Sequence, residues 1–123
     1  MTRIRLFLLV EGASFASAAL VHFGVLFEGT RHRKAGIAES VIAAVLLAGL
    51  ALTWLRRAWT RSVGIAVQAF ALLGTLVGVF TIAIGIGPRT NADVAYHVAV
   101  VAVLVCGLVV SARRAPVAPS VAR

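Results

Sequence analysis

Residues 63–86 read VGIAVQAFALLGTLVGVFTIAIGI, twenty-four consecutive positions without a charge, whose only polar side chains are Gln68, Thr75 and Thr81. An α-helix rises about 1.5 Å per residue, so about 17–25 apolar residues cross the hydrocarbon core of a bilayer. A soluble helix would carry a polar stripe along one side. A strand of a membrane barrel would alternate apolar and polar residues. This stretch does neither, and it predicts a membrane-spanning helix.

Three more runs of the same kind, at 4–27, 37–55 and 94–110, complete the pattern. Hydrophobic residues make up 61% of the 123-residue chain and charged residues only 13%. Soluble domains carry about 45–50% and about 25%. A soluble domain this small could not bury so much apolar surface. The expected fold is therefore all-α, an integral membrane bundle of four helices. Short connectors force consecutive helices antiparallel, up-down-up-down. Residues 1–111 form the transmembrane domain, and 112–123, with Pro116 and Pro119, read as a disordered cytoplasmic tail.

The net charge of +8 sits between and beside the apolar runs, with no aromatic interleaving for base stacking. It speaks for membrane topology and against nucleic acid. One side of the bundle would hold Arg3, Arg5, Arg56, Arg57, Arg61, Arg113, Arg114 and Arg123; the other, Arg31, Arg33, Lys34 and Arg89. Eight against four places both termini in the cytoplasm and the chain in the cell (inner or plasma) membrane as a multi-pass protein. Trp54 and Trp59 flank the inner connector, where indoles settle at headgroup level. A competing reading takes Arg3, Arg5 and the small stretch Ala16-Ser17-Ala18 as a cleaved secretory signal. Glu11 and the hydrophobicity continuing through Phe27 favour an anchor. The single cysteine, Cys106, reads as a small buried hydrophobe.

Ionisable residues within membrane helices are costly and mark candidate sites. His22, Glu39, Asp93 and His97 converge toward one outer layer, with Asp93 and His97 at i, i+4 and Tyr96 adjoining. Two imidazoles at one depth suggest a cofactor site in the outer leaflet, holding haem b, a metal ion or a quinone, with His22 and His97 as the metal ligands. Glu39 and Asp93 would orient their rings, and Gly24 would relieve crowding. A bland alternative has the histidines simply hydrogen-bonded to carboxylates near the interface, and His32 solvated in its loop.

A second layer joins Glu11 and Gln68. Glu11 shares a face with Ser14 and His22, a stripe suited to a proton or ion pathway. Gly74, Gly78 and Gly85 stripe the third helix; Gly74 and Gly78 form a GxxxG for close helix packing, within the bundle or between copies. In its short chain, four helices and helix-one carboxylate, Glu11, the plan resembles the small multidrug resistance transporters. The resemblance implies a small oligomeric proton-coupled transporter, but the later helices lack an aromatic drug-binding pattern and the charge bias departs from dual topology. No complete catalytic or nucleotide motif is present, and the chain does not read as an enzyme. Three expectations stand: a cofactor-binding bundle, a proton-coupled transporter or ion pathway using Glu11, and an accessory subunit of a larger membrane complex.

The charge bias makes a direct prediction. A reporter active only outside the cytoplasm is expected to be silent when fused after Arg123 and active when inserted between Gly29 and Thr30. The reverse pattern overturns the orientation.

Overall fold

The computed structural model describes residues 1–113. The tail expected to be disordered therefore lies outside the described residues from position 114 on; Ala112 closes the last helix. Four helices follow in order: α1 (Thr2–His22), α2 (Arg33–Leu55), α3 (Thr60–Ala83) and α4 (Asn91–Ala112). A single 3-10 turn, Arg57–Trp59, joins α2 to α3. All four helices are long and apolar enough to cross a membrane.

Each helix packs on its neighbours in sequence, α4 closes back on α1, and α1 also touches α3 across the bundle. Side-chain bonds fix the directions. Arg5 near the start of α1 meets Thr53 near the end of α2, while His22 at the end of α1 meets Glu39 near the start of α2. Likewise Arg61 at the start of α3 reaches the end of α4. Neighbouring helices are thus antiparallel. The bundle has a terminal end, holding the start of α1, the end of α4 and the α2–α3 connector, and a distal end, holding the other two connectors.

The helices stop by two different means. At the terminal end, the carbonyls left free at a helix C-terminus are taken by arginines. Arg5 donates to the Thr53 carbonyl at 2.6 Å, and Arg61 to the Ser111 and Ala112 carbonyls at 3.1 and 2.8 Å. A cation is also favourable against the negative end of the helix dipole. At the distal end glycine does the work. Gly24 (φ +74°) and Gly85 (φ +83°) take the left-handed conformation. Their amides bond Val21 and Ile82, and the next amides, of Val25 and Ile86, reach back to Leu20 and Thr81. That pairing is the Schellman motif.

This corrects two expectations. The apolar runs continue to residues 27 and 86, but α1 ends at His22 and α3 at Ala83, because a left-handed residue cannot continue a right-handed helix. Gly24 is a stop rather than a relief of crowding. Gly85 is not a helix-packing residue. Gly74 and Gly78 do pack, and within the bundle: a methyl group on Gly74 would come 2.9 Å from Ile42 of α2, and one on Gly78 would come 3.2 Å from His97 of α4. Cys106 is exposed, not buried. The core runs through Leu8, Phe15, Ile42, Leu46, Ala71, Val100 and Leu104.

Gly24→Ala and Gly85→Ala are each expected to cost about 1–2 kcal/mol, the penalty of a side chain in the left-handed region. Equilibrium unfolding in mixed detergent measures it; an unchanged midpoint would mean that these connectors find another stop without loss.

Candidate functional site

The distal polar layer is built on His22. Ending α1, it is 4% exposed, and both ring nitrogens face carboxylates. Nδ1 lies 2.7 Å from Oε2 of Glu39 on α2, and Nε2 lies 3.1 Å from Oδ1 of Asp93 on α4. One imidazole thereby ties three helices. The α1–α2 connector folds back over it, with the His32 amide donating to the His22 carbonyl at 2.8 Å and the Thr30 hydroxyl to the Val21 carbonyl at 2.8 Å.

Asp93 has two duties. Its Oδ2 accepts from the Thr90 amide and hydroxyl, while its own amide donates to Thr90 Oγ1, a capping box that starts α4. Oδ1 is left for His22. One turn on, Nδ1 of His97 lies 2.7 Å from the Asp93 carbonyl. A carbonyl only accepts, so Nδ1 carries the hydrogen, and Nε2 of neutral His97 presents a lone pair. The two histidines are therefore joined through Asp93 and do not face one another.

The paired-imidazole expectation loses its geometry here. Both nitrogens of His22 are engaged by carboxylates, which leaves no lone pair for iron or another metal in this arrangement. Among the described residues no three His, Cys, Asp or Glu side chains are grouped to hold a metal ion. His32 is also not a solvated loop residue: its Nδ1 accepts from the Ala35 amide at 3.4 Å, capping α2, and its ring stands edge-on to His22 with centroids 6.3 Å apart.

Beside this layer, α2 and α3 leave a crevice of about 210 Å³ between their distal halves. His97 and Glu39 line it together with Phe15, Ile42, Gly74 and Gly78; Lys34 and His32 stand at its margin, as do Val77 and Ile86. Val77 and Ile86 are exposed, so the crevice opens on the apolar outer surface. Thr75 and Thr81 line it too, but their hydroxyls bond the carbonyls of Ala71 and Gly78 on their own helix. Nε2 of His97 and the carboxyl group of Glu39 are the polar atoms left for a ligand deep in the crevice. The signal that could have found it is Gly78, one turn from Gly74 and opposite His97. Tyr96 is not among the lining residues. It stands edge-on to Phe15 and His97, at centroid distances of 6.2 and 5.4 Å, with its hydroxyl buried and unpartnered.

The second polar layer lies toward the terminal end. The Gln68 amide nitrogen is 3.4 Å from Oε1 of Glu11, and the Ser111 hydroxyl donates to Oε1 of Gln68 at 3.1 Å. All three side chains are fully buried, and Oε2 of Glu11 has no partner. Ser14 stands apart: its hydroxyl bonds the Val10 carbonyl of its own helix at 2.8 Å. Ser111 takes the place expected of it. Gly107 makes the layer fit, since a methyl group there would stand 2.5 Å from Oε1 of Glu11 and 2.7 Å from the Gln68 nitrogen. Neither Gly107 nor Ser111 is conspicuous in sequence, because a glycine and a serine in an apolar run carry no periodic signal.

Comparison with known proteins returns nothing: no family model, no curated protein and no solved structure matches this chain.

Gly107→Ala is expected to destabilise the bundle by about 1–3 kcal/mol, the cost of overpacking a filled core. Glu11→Gln removes a buried ionisable group and is expected to be neutral or stabilising. Glu11→Ala combined with Gly107→Ala is expected to be less destabilised than the sum of the two single changes. Additive effects in a detergent unfolding cycle would separate Gly107 from this layer.

Proposed function

We propose that the chain is an integral membrane protein whose distal crevice binds a small, largely apolar ligand of the quinol–quinone class. In this reading the basic terminal end faces the cytoplasm, eight Lys and Arg against four, and the crevice lies in the outer leaflet. The observation that carries the proposal is His97: Asp93 fixes its tautomer, and Nε2 stands beside Gly78 in a mainly apolar crevice whose other ionisable groups are Glu39, His32 and Lys34.

Three features support this class over the others. A ligand can enter from lipid, because Val77 and Ile86 make one side of the margin apolar and exposed, with Lys34 and His32 on the other. It must be small: about 210 Å³ is below the roughly 300–1,000 Å³ of pockets for drug-sized ligands. One ring fits that space with its tail left in the bilayer, whereas a haem does not. Finally, the polar groups offered are few and directional, and they suit an oxygen on a ring rather than a metal ion, which wants three or four ligands.

A transmembrane proton path through Glu11 has less support. Between Glu11 and His22 the buried face of α1 presents only Gly12, Phe15 and Ala19, and Tyr96 packs edge-on against Phe15. On α1 an apolar stretch thus separates the two polar layers. Association with further copies or with a larger membrane complex is compatible with this reading and contributes nothing to it.

The test is equilibrium binding of a short-chain quinol to the full-length protein in lipid nanodiscs. Saturable binding is expected, weakened about five- to tenfold by His97→Ala, the worth of one hydrogen bond, and unaffected by Cys106→Ala. Equal affinity in the His97 variant would remove that residue from the site. A haem absorbance band lost in His22→Ala would restore direct ligation in place of this proposal.

A further inference from the structure

We infer that the crevice distinguishes the hydroxyl and carbonyl forms of its ligand by one proton, held on Nε2 of His97. The inference rests on the ligand class proposed above and adds to it which form the resting site prefers and what the other form requires.

The argument is an inventory of donors and acceptors. The Asp93 carbonyl holds the hydrogen of His97 on Nδ1 at 2.7 Å. Nε2 of the neutral ring can then only accept. The other deep polar group, Glu39, already receives the His22 ring at 2.7 Å through Oε2, and the rest of an ionised carboxyl group is acceptor-only. The hydroxyls of Thr75 and Thr81 are committed to their own helix. The depth of the crevice is therefore a set of acceptors. A ligand bearing O–H groups satisfies it without change. A ligand bearing C=O in the same place would set acceptor against acceptor, and a buried polar group left unpaired costs about 1–3 kcal/mol.

One proton repairs the mismatch. Taken up from water at Nε2, it turns His97 into an imidazolium, which donates from both nitrogens: Nδ1–H to the Asp93 carbonyl as before, and Nε2–H to the ligand carbonyl. No bond to carbon forms or breaks and no electron moves. Charged and titratable groups face the ring from several elements. Glu39 faces it from α2 and Asp93 and Tyr96 from α4; α1 brings His22 between the two carboxylates, and α3 offers only Gly78. Lys34 and His32 stand at the margin: Lys34 brings an opposing charge and a donor, and His32, whose Nδ1 accepts from the Ala35 amide, has its Nε2–H as a donor.

The experiment is titration calorimetry of the full-length protein in nanodiscs with one short-chain quinone and with its quinol, kept anaerobic. Each is run at about pH 8, above the ordinary imidazole value of about 6.5, in two buffers of different ionisation enthalpy. The buffer dependence reads the protons exchanged on binding. Uptake of about one proton is expected for the quinone and about none for the quinol. In His97→Gln, whose amide both donates and accepts, both forms are expected to bind with no proton exchange. Equal proton exchange for the two forms, or uptake that persists in His97→Gln, overturns the inference while leaving the ligand class standing. Quinone binding without uptake, lost in Lys34→Met or in His32→Ala, also overturns it by making a residue of the margin the donor. Binding of neither form overturns the ligand class, and this inference with it.

Discussion

The contact on which the distal half depends is a single imidazole between two carboxylates. His22 is the last residue of α1, and its two nitrogens reach Glu39 on α2 and Asp93 on α4. Removing His22 would leave two acidic side chains close together with nothing between them. Breaking a buried charged contact by deleting one partner is far more costly than never having built it. The gain from building it is geometric. An apolar four-helix ring can rotate each helix about its axis at little cost, since lipid accepts any greasy face. A histidine that must satisfy both neighbours fixes the rotation of three helices at once, and so fixes where His97, one turn beyond Asp93, will point.

The rest of the site follows from that registration. Asp93 serves α4 as its first-turn cap and His22 as a partner, and its backbone carbonyl sets the tautomer of His97. Three different atoms of one residue thus couple helix initiation, helix rotation and the tautomer of His97. The crevice exists because α3 sits outside this arrangement: it supplies glycines where the other helices supply acids and histidines. Gly74 lets Ile42 approach, and Gly78 leaves room for the His97 ring. The same device operates in the other polar layer, where Gly107 of α4 makes space for Glu11 and Gln68.

Most of the fold was legible in sequence because lipid is an unforgiving solvent. Four uncharged or nearly uncharged runs separated by basic connectors leave almost no alternative. The helix ends were less legible. Residues 23–27 and 84–86 are as apolar as the helices before them, and only the left-handed glycines, invisible to hydropathy, end those helices. The convergence of His22, Glu39, Asp93 and His97 was legible from depth alone. What depth could not supply was rotation. Two imidazoles at similar depth can face one another or be joined through a third group, and the choice lies in hydrogen bonds that no spacing rule encodes. Ser14 failed for the same reason, since a serine in a helix bonds its own preceding turn readily.

The arginine asymmetry has a structural origin as well as a topological one. Among the described basic residues of the terminal end, Arg5 and Arg61 hold the last carbonyls of α2 and α4, and Arg5 also lies 4.2 Å over the Trp54 ring. Their places follow from the antiparallel plan: the start of one helix stands beside the end of its neighbour, where free carbonyls and the negative end of the dipole favour a cation. At the distal end the Schellman glycines satisfy those carbonyls, and Arg31 adds a bond only to the carbonyl of Phe23, just past α1. Setting Arg5 and Arg61 aside leaves six against four. Part of the bias that reads as an orientation signal is therefore also a folding requirement, placed on whichever side closes its helices with side chains rather than with glycine. A cation at such a helix end therefore counts toward the charge bias whichever way the bundle lies in a membrane.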